Sequence, residues 1–143
     1  MDVQDLNKCL RGELSAVETY RQALEKNRKK YGRDSNFQQL TQMCNEHEQS
    51  ASELRRLFNR MGGKAESDSG AWGTWAQTVM GAAKLFGDEA ALKALKEGEQ
   101  SGMKDYQDAL EDCDMPEVER TLNTLCERDR NHVSQLDRMM ETT

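Results

Sequence analysis

The chain has 143 residues, a formal net charge of -6, one proline, 6% aromatic and 32% charged residues. The acidic balance argues against a nucleic-acid partner, because neutralising phosphates takes a basic surface. So little proline and aromatic content, with Ala, Leu, Glu, Gln, Lys and Arg prominent, predicts an all-α fold and excludes a sheet protein; the length suits a single domain spanning residues 1–143.

The opening stretch MDVQDLNKCL has no apolar run of the secretory kind, and no segment approaches the ~20 apolar residues that span a bilayer. A cytoplasmic location without a membrane partner is the expectation. A first helix is predicted from about Asp2 to Lys30, stopping at Tyr31-Gly32, with the basic run Lys26, Arg28, Lys29, Lys30 and Arg33 complementing the dipole at its C-terminus. A second starts at Asp34-Ser35, where Ser35 and Gln38 have the spacing of a capping box, and ends at Gly62-Gly63. Residues 62–87 are then expected to open as a loop and to include a short helix from about Trp72 to Leu85. That length allows a crossover from one end of a bundle to the other, with Trp72 and Trp75 of GAWGTW capping an apolar groove. A third helix is predicted from near Asp88 to about Glu111. A fourth follows, with Asp114 as its cap and Pro116 in its first turn, and runs to about Met140. The cysteines at positions 9, 44, 113 and 126 form no CxxC pair and read as free thiols, mostly packing as small hydrophobes.

Each predicted helix carries an apolar seam in alternating steps of three and four. The seams run Leu6, Leu10, Glu13, Val17, Tyr20, Leu24; then Phe37, Leu40, Cys44, His47, Ala51, Leu54, Phe58, Met61. The last two run Leu92, Leu95, Glu99, Gly102 or Met103, Tyr106, Leu110; and Val118, Leu122, Leu125, Asp129, His132, Leu136, Met139. Every seam is apolar except near its midpoint, and side-by-side helices of similar length and equal rise place their midpoints in one layer. Glu13, His47, Glu99, Asp129 and His132 should therefore meet, and both histidines of the chain are among them.

Three carboxylates and two imidazoles combine hard oxygen with borderline nitrogen donors, a mixture that suits iron, manganese or zinc. Asp129 and His132, at i and i+3, leave the same side of their helix, as shared ligation requires. The same residues could instead form a metal-free polar layer in which histidines pair with carboxylates and fix helix register. Tyr20 and Tyr106 read as core residues with satisfied hydroxyls.

The layout resembles the ferritin-like superfamily, in which two helices each give a Glu and two each give a Glu-x-x-His to a pair of metal ions. GELSAVETY matches the E-L-x-A-x-x-x-Y pattern of the first helix of bacterioferritin at Glu13. EQSGMKDY places Glu99 similarly, and DRNHVSQL fits the Glu-x-x-His block with Asp129 in place of Glu. Closer still is the resemblance to a small bacterial family of ferritin-like domains of unknown function, carried by Gly62-Gly63, SGAWGTW, Gly98-Glu99 and Tyr106. The second helix departs from the superfamily: His47 stands where a Glu would be and Ser50 where the His would be, or, one residue earlier, Glu46 and Gln49 fill those places. The resemblance implies an up-down-down-up bundle with a long crossover between its second and third helices. It implies a site holding iron or manganese through Glu13, Glu99, Asp129, His47 and His132, and iron oxidation by oxygen or peroxide in stress protection. The rival class is a non-enzymatic scaffold or interaction module with a decayed site. Self-association as a homodimer stays open in both.

Overall fold

A computed structural model describes residues 3–62 and 89–141. Among them are four long helices and no strand: α1 (Val3–Tyr31), α2 (Ser35–Arg60), α3 (Glu89–Glu111) and α4 (Pro116–Glu141). The predicted short helix from about Trp72 to Leu85 and the GAWGTW motif lie outside the described residues. No helix among the described residues is long and apolar enough to cross a membrane.

The chain leaves α1 through Gly32, whose N–H donates to the Arg28 carbonyl at 2.9 Å. A Cβ at that position would lie 2.5 Å from the same carbonyl oxygen, so only glycine fits there. The start of α2 differs from the expected capping box. Asp34 is the cap, its carboxylate accepting from the Asn36 N–H at 2.9 Å, and Ser35 is already the first helical residue. The start of α4 shifts the other way, one residue later. The first intrahelical bond runs from the Glu119 N–H to the Met115 carbonyl, so Met115 holds the cap position expected for Asp114. Past α2, Gly62 takes φ +72, a left-handed conformation that glycine adopts without strain.

α1 packs on α2, α3 on α4, α1 on α3 and α2 on α4, giving a helical bundle. The predicted seams are its core, with Met61, Met103 and Leu110 only partly buried. Two apolar clusters form. One joins the C-terminal half of α1, the N-terminal halves of α2 and α3 and the C-terminal half of α4, through Leu24, Leu40, Met43, Leu95 and Leu136 among others. The other joins the opposite halves, through Leu10, Leu54, Phe58, Leu122 and Leu125 among others. Each such side chain contributes about 1.5–3 kcal/mol on burial, and together they hold the helices so that the polar midpoints lie between the clusters.

Candidate metal centre

All five predicted residues are buried in that middle layer. Glu13 is 3% exposed, Asp129 2%, and His47, Glu99 and His132 1% each. Burial at this depth removes water as a partner, so every polar atom must find one inside the protein.

Glu99 is the hub. Its Oε1 accepts from the Tyr20 hydroxyl at 2.7 Å and lies 2.6 Å from His47 Nε2. His132 Nδ1 is 3.2 Å from the same oxygen, close enough for charge attraction but outside hydrogen-bonding alignment. The other ring nitrogen of His47, Nδ1, is 2.5 Å from Glu13 Oε2, and the second oxygen of Glu13 accepts from the Tyr106 hydroxyl at 2.5 Å. Tyr20 and Tyr106 thus exchange partners between α1 and α3. Each lies seven residues, two turns, beyond the carboxylate on its own helix and bonds to the carboxylate on the other. The His47 ring stacks on Tyr20 and meets His132 edge-on, with ring centroids 5.4 and 4.8 Å apart respectively.

One half of the layer is saturated and the other is not. Among the described residues, four buried side-chain atoms have no hydrogen-bond partner: Glu99 Oε2, Asp129 Oδ1 and both ring nitrogens of His132. His47, Glu99, Asp129 and His132 each offer one donor atom, and those atoms lie within 4.8 Å of one another. Two carboxylates and two imidazoles so gathered can hold a metal ion, which would satisfy Glu99, Asp129 and one of the two His132 nitrogens. Glu13 stands outside this group, against His47 Nδ1, a nitrogen that also has Asp129 Oδ1 at 4.0 Å.

Room for Asp129 comes from α3. A Cβ on Gly102 would lie 2.8 Å from Asp129 Oδ2, closer than such atoms approach, so the glycine clears the space the carboxylate occupies. Of the two residues the sequence left open for this seam position, Gly102 is the one against the layer.

The charges are interlocked. Burial alone would lower the pKa of His47, but the Glu99 and Glu13 carboxylates hold it well above the usual imidazole range. Burial would raise Glu99, yet His47 and then His132 bring it well below the ordinary carboxylate value. Asp129 goes the other way: burial, then repulsion from Glu13 and Glu99, raises it well above that value. These shifts fix the sign of a pH effect in chelator-treated protein. The raised His47 contributes stability that is complete below about pH 6.5 and is lost as pH rises through its folded value. Asp129, also raised, loses its contribution in the same direction, while the lowered Glu99 acts only in acid. Denaturant unfolding should therefore give lower stability at about pH 9 than at about pH 6; stability rising over that interval would contradict the charge assignment.

Two contacts were not legible in the seams. Arg128 donates through Nη1 to the buried Ser50 hydroxyl at 3.1 Å and to Glu53 at 2.8 Å, so the α2 position that resembles a histidine-ligand place is taken up by an arginine contact. Glu46, off the seam, brings its Oε1 to 3.5 Å from His132 Nε2. Cys9, Cys44 and Cys126 are buried, Cys113 is partly so, and all four cysteines are free thiols.

The sequence model of a family described as "Domain of unknown function (DUF2383)" matches residues 3–112. No curated protein matches the chain.

Proposed function

The chain belongs to the DUF2383 family, and from its buried centre we propose that it binds a divalent transition metal, iron or manganese, inside a ferritin-like four-helix bundle. The observation that carries this reading is the set of orphaned atoms on Glu99, Asp129 and His132. Leaving a buried donor or acceptor unmet costs about 1–3 kcal/mol each, and Glu99, Asp129 and one His132 nitrogen each bring such an atom to the cluster. In the proposed set Glu99, Asp129, His132 and His47 Nε2 are the donors. Glu13 is a positioning residue: it accepts from His47 Nδ1–H, fixing the tautomer that leaves Nε2 free to donate its lone pair. Tyr106 in turn orients Glu13, and Tyr20 orients Glu99.

A ferritin-like course, up-down-down-up with a crossover through residues 62–87 within a single domain, belongs to the same proposal. Its support is the pairing of helix halves in the two apolar clusters. Bound iron would supply oxidation by dioxygen or peroxide, the stress-protective chemistry of the superfamily the chain resembles.

A metal-free layer is the second reading, and the observation in its favour is the His47 ring bridging Glu13 and Glu99 at 2.5 and 2.6 Å. That bridge satisfies His47 and Glu13 but leaves the His132 and Asp129 atoms unmet, so the metal reading accounts for more of the layer. Gly102→Ala tests it. A helix-interior Gly→Ala change ordinarily stabilises by roughly 0.5–1 kcal/mol, and without metal the Asp129 carboxylate can swing aside. With metal it cannot. Titrating chelator-treated protein with manganous ion should show affinity in the variant weaker by on the order of tenfold or more. Equal affinity would remove Asp129 from the ligand set, and a wild type that takes up neither manganous nor ferrous ion would defeat the reading.

A further inference from the structure

Glu99 sits between two imidazoles, and each imidazole has an outer nitrogen turned away from it. For His47 that nitrogen is Nδ1, held at 2.5 Å by Glu13. For His132 it is Nε2, buried and without a hydrogen-bond partner, facing Glu46 Oε1 at 3.5 Å. A neutral imidazole that gives one nitrogen to a metal carries its proton on the other. In a buried site that N–H needs an acceptor, and the acceptor sets ring orientation and ligand basicity. The His132 nitrogen facing Glu99 is Nδ1, at 3.2 Å from its Oε1, so the proton belongs on Nε2, toward Glu46.

We propose that Glu46 is the positioning residue of His132: its carboxylate accepts the Nε2–H when Nδ1 is given to a metal, the counterpart on α2 of what Glu13 does for His47. This rests on the metal reading above and adds to it a residue outside the seams. The Glu46 side chain is 25% exposed, in contrast to Glu13, so it retains the freedom to close the remaining few tenths of an ångström. It also explains why a glutamate directly precedes His47: on α2 consecutive residues point about 100° apart, which lets Glu13's partner face α1 and α3 while Glu46 turns to α4.

The test uses cobaltous ion as a spectroscopic probe on chelator-treated wild type, Glu46→Gln and, as a charge control, Glu48→Gln. Glu48 lies two residues on, with its side chain 46% exposed and paired with Arg21. Glu46→Gln should weaken cobalt affinity roughly 10–100-fold. Its melting temperature without metal and the ligand-field bands of the loaded form should stay as in wild type, because the donor atoms are the same. Glu48→Gln should bind as wild type does. Unchanged affinity in Glu46→Gln would overturn the proposal. Altered bands would overturn it too, by placing Glu46 among the ligands, and an equal loss in Glu48→Gln would reduce the effect to surface charge. A wild type that binds no cobalt would instead count against the metal reading, so the two failures are told apart.

Discussion

Replacing Glu99 by alanine is expected to cost about 3–5 kcal/mol of folding stability in the absence of any metal, the usual penalty for removing one partner of a buried ion pair. Glu99 is the shared acceptor of the Tyr20 hydroxyl and the His47 ring, with His132 drawn to it. Without it the Tyr20 hydroxyl loses its carboxylate partner and His47 keeps only Glu13. Asp129 loses a like-charge neighbour at the same time, which offsets part of the cost and places the loss toward the lower end. Denaturant unfolding of the chelator-treated variant gives the number. A loss under about 1 kcal/mol, the size of an ordinary surface change, would show that Glu99 does not organise the layer.

His132→Ala should behave in the opposite way. Neither ring nitrogen makes a hydrogen bond in the protein, so truncation sacrifices packing and the charge attraction to Glu99 but leaves the hydrogen bonds of His47, Tyr20 and Tyr106 in place, and helicity should remain. What it removes is the response to metal. An ion bound only by the folded state stabilises by about 2.7 kcal/mol at a hundredfold excess over its dissociation constant. Wild type should therefore melt at higher temperature with ferrous or manganous ion present, and His132→Ala should not. The gap should widen with pH, because binding must displace the protons that His47 and Asp129 hold in the free layer. A variant that keeps the full thermal shift would exclude His132 as a ligand.

The seams were legible because burial selects residues by spacing. Leu10, Leu54, Leu95 and Leu125 recur at three and four, so a Glu or His in the same register is conspicuous. That register alone brought Glu13, His47, Glu99, Asp129 and His132 into one layer. Their division of labour was hidden. Glu13 and Glu99 have the same place on their helices and the same Tyr seven residues on, and they differ only in which His47 nitrogen and how many imidazoles each one meets. That depends on how α2 and α4 are rotated. Glu46 fell off the seam for a related reason, and only the family resemblance pointed to it: α2 packs on both α1 and α4, and a single seam describes only one of those faces. The α2 cap slipped by one residue because Asp34 and Ser35 are both good capping side chains, and only the Asn36 N–H decides between them.

Whether the layer holds an ion is read most directly from the metal content of wild type and His132→Ala purified without chelator, by elemental analysis of equal amounts of folded protein. Iron or manganese should be bound in stoichiometric proportion to wild-type chains, with little of either in the variant. Wild type that carries no transition metal and cannot be loaded with ferrous or manganous ion would contradict the metal reading.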